Sequence, residues 1–145
     1  MQAVEGLHAG LAERLVAVVL FGSRARGDDK EGSDWDLLVI VEGLPERAME
    51  RRWFLKRLLP EESRGAISIL ARTPAEFERR LASVYLDIAL DGRILYDPQG
   101  YASEWLDRVK RLIERAGLYR ERTPWGDRWL WEEQPSHPWV LEWEK

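Results

Sequence analysis

Two short stretches decide how this chain is read: Phe21-Gly22-Ser23-Arg24-Ala25-Arg26-Gly27 and, after five further residues, Ser33-Asp34-Trp35-Asp36-Leu37. The apolar run Leu15–Phe21 precedes the first and the β-rich run Trp35–Val41 contains most of the second, so two strand-like segments flank one polar loop. Gly-Ser directly after a buried strand lets the backbone turn tightly. If a helix starts there, its unpaired N–H groups point beyond the strand end, where a phosphate can be cradled. Arg24 and Arg26 can add charge-assisted bonds to phosphate oxygens from the same loop. Asp34 and Asp36 are two apart on a strand, so both side chains leave one face with Cα atoms roughly 6.6 Å apart, and one metal ion can sit between them. Their hard oxygens beside a phosphate suit Mg²⁺ or Mn²⁺, and no neighbouring His or Cys offers a softer ligand. Each half alone reads more simply as a surface turn and a solvated strand end, with Arg24 equally able to pair with Asp28 or Asp29.

Outward from this loop, alternating segments predict one α/β or α+β domain. Residues 2–14 carry Val4, Leu7 and Leu11 at a helical spacing that Leu15 continues; 45–59 is helix-forming with many basic residues; 66–71 is a third short strand. Thr73, Pro74 and Glu76 spell an N-cap, an N1 proline and the third position of a capping box, which predicts a helix running to about residue 90. Asp91-Gly92 turns the chain, 94–96 reads as a short strand, and 99–116 is a final amphipathic helix. The size, 145 residues, leaves little room for a second core, and 45% apolar with 33% charged residues suits a folded domain. The absence of cysteine excludes disulfides, thiolate metal sites and a cysteine nucleophile, and suggests a reducing compartment. A longest apolar run of seven residues, Leu15–Phe21, predicts no membrane span and a cytoplasmic protein. A net charge of −4 disfavours generic nucleic-acid binding.

From residue 119 the composition changes, with Trp125, Trp129, Trp131, Trp139 and Trp143 gathered in one segment. We therefore divide the chain into a domain over 1–118 and a Trp-rich extension over 119–145. The extension lacks the basic groove that single-strand binders need and is expected to pack on the domain, on a partner or in a homodimer.

The pair of stretches resembles the DNA polymerase β nucleotidyltransferase superfamily, in particular its small stand-alone members, the minimal nucleotidyltransferases. Their signature is Gly-Ser, ten residues, then Asp-x-Asp, matched here without a gap by Gly22-Ser23 and Asp34-Trp35-Asp36, with Arg26-Gly27 and Ser33 also in place. The resemblance implies a mixed sheet covered by helices and a nucleoside triphosphate whose β- and γ-phosphates meet Gly22, Ser23 and the loop arginines Arg24 and Arg26. It also implies a divalent metal, Mg²⁺ or Mn²⁺, on Asp34 and Asp36, with transfer of a nucleoside monophosphate, AMP above all, to a hydroxyl of a protein or small molecule. Minimal members often pair with a separate helical protein of the HEPN type in toxin–antitoxin systems. The chain departs from the pattern at the third metal-site carboxylate. On the strand 66–71 the polar position is Ser68, a neutral hydroxyl that replaces neither a base nor a strong ligand. Asp28 and Asp87 are the weak substitutes. The alternative expectation is thus a catalytically impaired nucleotide-binding or antitoxin-like protein.

Overall fold

β1 (Leu15–Phe21) is buried on both faces, which is why it reads as an unbroken apolar run rather than an alternating one. Ala17 and Val19 face one layer of helices; Val18 and Leu20 face the other. In the computed structural model, which describes residues 2–133, β1 is central in a mixed four-stranded sheet of order β3-β2-β1-β4. β2 (Trp35–Val41) and β4 (Arg93–Tyr96) run antiparallel to β1, and β3 (Ile67–Arg72) runs parallel to β2.

Helices cover both faces. On one side α1 (Gln2–Leu11) buries Ala3, Leu7 and Leu11, and α3 (Ala48–Lys56) adds Leu55, against Val18, Leu37 and Val39. On the other side α4 (Pro74–Arg79), α5 (Ser83–Asp91) and α6 (Tyr101–Ala116) pack Phe77, Tyr85, Ile88 and Val109 over Val19, Leu38 and Ile40. Between β1 and β2 lies the single turn α2 (Ser23–Arg26). After α6, an antiparallel hairpin of β5 (Leu118–Thr123) and β6 (Gly126–Trp131) forms a separate sheet. Among the described residues no helix is long and apolar enough to cross a membrane.

Three expectations about element limits are corrected. The helix expected over 45–59 begins only at Ala48, because Pro45 stays outside and its carbonyl accepts a bond from Arg51 Nε. The capping box forms: Glu76 N donates to Thr73 Oγ1 at 3.2 Å and Thr73 N to Glu76 Oε1 at 2.8 Å. The helix it starts nevertheless ends at Arg79, with Arg80 and Ala82 extended, before α5 resumes at Ser83. No glycine or proline marks the break, within which Leu81 is buried. Finally, the segment from 119 contains a hairpin that composition had not indicated, and its Trp129 and Trp131 pack against the α5–α6 core, while Trp125 at the turn is 93% exposed. Trp139 and Trp143 lie outside the described residues.

Candidate functional site

The antiparallel β1–β2 ladder sets Phe21 opposite Asp36, so the chain leaving β1 turns directly over the carboxylate-bearing end of β2. Gly22 makes that turn at φ +75°, and a Cβ placed there would stand inside 3.0 Å of Asp36 Oδ2, a separation real side chains do not adopt. Glycine is required twice over, for its φ and for the close approach. The Gly22 carbonyl accepts Ala25 N and Arg26 N, both at 3.1 Å, closing the turn of α2, which no side chain caps; Gly27 ends it in the left-handed region.

The two loop arginines are placed differently. Arg24 donates to the Ser33 carbonyl from Nε (3.2 Å) and Nη2 (2.8 Å), pairs with Asp29 at 3.0 Å and stacks over Trp35 with its guanidinium carbon 4.5 Å from the ring centre. It therefore staples α2 to the residue before Asp34. Arg26 pairs with Asp28 at 3.2 Å and, more distantly, with Asp91 at 3.7 Å. Asp34 is exposed and Asp36 half-buried. Burial, then the neighbouring Asp34 charge, pushes the Asp36 carboxyl above its ordinary value, only partly offset by Arg26. Two hard carboxylates in mutual repulsion beside an uncapped turn are a donor set that fits a divalent cation.

The parallel β2–β3 register puts Ser68 beside Asp36, so the strand next to the acidic pair offers a hydroxyl there and no acid. Asp28 and Asp87 do not make up the deficit: among the described residues no group of three acidic, His or Cys side chains stands together to hold a metal. Asp87 is instead taken by Arg120 at 3.2 Å and by Trp129 Nε1 at 3.2 Å.

Concave surfaces flank the carboxylates. On the α5 side, a cavity of about 440 Å³ is walled by Phe21, Gly22, Arg26, Asp28 and the α5 residues Val84 and Asp87 on one side, and by Arg122, Thr123, Gly126 and Asp127 of the hairpin on the other. Ion pairs fix the hairpin there: Arg120 to Asp91 at 2.5 Å, which holds that carboxyl below its ordinary range, and Arg122 to Asp28 at 3.3 Å. Sequence reasoning missed these hairpin residues. The available signal was Thr123-Pro124-Trp125-Gly126, a turn motif between two alternating stretches. Toward β3, a groove of about 420 Å³ runs from Asp34 and Ser68 past Arg52 and Lys56.

Residues 8–96 match the family model described as "Nucleotidyltransferase domain", about three-fifths of the chain and the segment carrying both stretches. The chain belongs to the nucleotidyltransferase domain family. A relative from Methanocaldococcus jannaschii, named "Putative protein adenylyltransferase MJ1305", is 34% identical over 105 residues, 70% of this chain and 71% of the relative. Among solved structures, a chain of a toxin–antitoxin structure with AMP-PNP superposes with a TM-score of 0.56 at 18% identity, covering 78% of this chain and 86% of that one. A chain from a tri-AMPylated HEPN toxin of Shewanella oneidensis in complex with MNT antitoxin gives 0.51 at 16% identity, covering 77% and 81%. These structures share the nucleotidyltransferase fold with this chain. The family match ends with β4, so α6 and the hairpin wall of the cavity lie beyond it.

Proposed function

We propose that this protein transfers AMP from ATP to a hydroxyl of another protein. The observation that carries the reading is the contact between the Gly22 backbone and the Asp36 carboxylate, which makes the phosphate turn and the acidic pair one site. The relative's name supports a protein as acceptor and AMP as the group moved.

In this reading the triphosphate lies along Gly22 and Ser23, with Arg26 turning from Asp28 toward the β- and γ-phosphates. Arg24 is a positioning residue, because Ser33 and Asp29 take its donors. The sugar and base extend into the hairpin-walled cavity, whose volume suits a nucleoside. Asp34 and Asp36 would hold a divalent cation, Mg²⁺ or Mn²⁺, which supplies charge stabilisation at the α-phosphate when bound. The acceptor hydroxyl attacks the α-phosphorus as the bond from the α-phosphorus to the α–β bridging oxygen breaks. Pyrophosphate leaves, and the hydroxyl proton passes to solvent on the exposed Asp34 side. Catalysis is then mostly alignment and electrostatics.

Labelling of proteins from a source-cell lysate with [α-³²P]ATP tests this, comparing wild type with Asp36→Asn; a helical HEPN-type protein is the first purified acceptor to add. Label on a discrete protein with wild type, reduced at least about 100-fold in the variant, is expected. A specific observation favours a second reading, a nucleotide-binding partner protein without turnover: the strand next to the acidic pair offers the Ser68 hydroxyl and no acid. Metal-dependent ATP binding with no label on any protein, the HEPN-type acceptor included, would decide for that reading.

A further inference from the structure

The outer face of α3 differs from an ordinary solvated helix face. Met49 and Trp53, one turn apart, are 76% and 65% exposed, and Arg52 and Lys56 stand beside them at the same spacing. Single exposed apolar residues are common, but these two line one hollow of about 380 Å³ together with Arg52, Lys56 and Arg64, which makes a patch. Arg52 and Lys56 also line the groove that reaches Asp34 and Ser68. A continuous surface therefore leads from an exposed tryptophan to the carboxylate end of the sheet.

The neighbouring edge of β3 is partly covered by α3: the carbonyls of Ile67 and Ala71 accept from Lys56 Nζ and Arg51 Nη1. A ligand reaching Asp34 from this side meets α3. Its charge is set first by Arg52, with Lys56 and Arg64 behind it donating to main-chain carbonyls that leave their charge in place, whereas Arg51 is neutralised by Glu76 at 2.9 Å. A tryptophan ringed by arginine and lysine is the composition of an anchoring point for a protein. It is a poor track for a nucleic-acid backbone: the cations are few, Glu46 lines the same groove, and the net charge is −4.

We infer that this face docks the acceptor protein through an acidic segment bearing an apolar side chain. The apolar group rests on Met49 and Trp53, an acid meets Arg52 within the positive field of Lys56 and Arg64, and the hydroxyl to be modified reaches Asp34. The inference rests on the proposed transfer to protein, so its first test is independent of turnover. Fluorescein-labelled random copolymers of Glu with Tyr, or of Lys with Tyr, are titrated with the full chain without nucleotide, and binding is read by anisotropy. The acidic copolymer is expected to bind at least about tenfold tighter, to weaken with added salt, and to lose about tenfold in affinity with either Arg52→Glu or Trp53→Ala. Both side chains are exposed, so both variants should melt with wild type. Equal binding of the two copolymers, no loss in either variant, or tighter binding of a single-stranded RNA of equal charge overturns the docking face. With [α-³²P]ATP added, label on the acidic copolymer with wild type and about a tenfold loss with Arg52→Glu would support both claims. Binding intact, with no label on copolymer or lysate protein, would count against transfer and leave the docking face standing.

Discussion

At the scale of single residues, Gly22 and Asp36 form a lock in which each restricts the other. The positive φ and the absent Cβ let the backbone lie against the carboxylate, and that approach half-buries Asp36. Gly22→Ala is expected to cost about 1–3 kcal/mol from backbone strain alone, readable by denaturant unfolding, and to abolish ATP binding because the turn must move off the carboxylate. Unchanged ATP affinity in a folded Gly22→Ala protein would remove the turn from the site. Much of this was legible in advance, since Gly-Ser, a ten-residue gap and Asp-x-Asp between two apolar runs admit few arrangements. The Arg24 side chain was not: Asp28 and Asp29 are equivalent partners in sequence, and only the fold selects Asp29 and adds the Ser33 carbonyl. Register across β2 and β3 was likewise invisible, although it sets Ser68 beside Asp36.

At the scale of elements, two ion-pair clusters join parts that the local sequence does not relate. Arg51 grips Glu76 through both carboxylate oxygens, at 2.9 and 3.1 Å, tying α3 to the first turn of α4 and holding the Glu76 carboxyl at about 2, below its ordinary 4.5. A depressed carboxylate stabilises the fold above its unfolded-state value and loses that contribution as pH falls. The gap in melting temperature between wild type and Glu76→Gln is therefore expected to close between about pH 4.5 and pH 2. A gap constant with pH would show that the charge on Glu76 contributes nothing. The second cluster centres on Arg120, which meets Asp87, Asp91 and Asp127 and thereby fastens the hairpin to α5. Arg120→Ala is expected to cost about 2 kcal/mol in urea unfolding, because it strips bonds from several part-buried carboxylates at once. It should also weaken ATP binding more than binding of inorganic tripolyphosphate, since the hairpin walls only the sugar and base side. The alternating strands and helices were readable from periodicity. The hairpin was hidden by its tryptophans, which drew attention to composition instead of to the turn at Pro124-Trp125.

At the scale of the whole molecule, the sheet brings its chemistry to one end: the C-terminus of β1 and the N-termini of β2 and β3. The acidic pair sits there with a hairpin-walled cavity on the α5 side and a basic, tryptophan-edged groove on the β3 side. The proposed two-substrate transfer would use this layout by bringing nucleotide and acceptor to the same carboxylates from different sides. The class of fold followed from the sequence because β1 is buried on both faces and declares it by an unbroken apolar run. The flanks did not, because they are assembled from residues far apart in the chain. The most direct measurement is calorimetric titration of the protein with ATP, with and without Mg²⁺, for wild type and Asp36→Asn. Binding that requires the metal and weakens at least about tenfold in the variant is expected. Equal binding in chelator, or in Asp36→Asn, would contradict a phosphate-and-metal site built on Gly22 and Asp36.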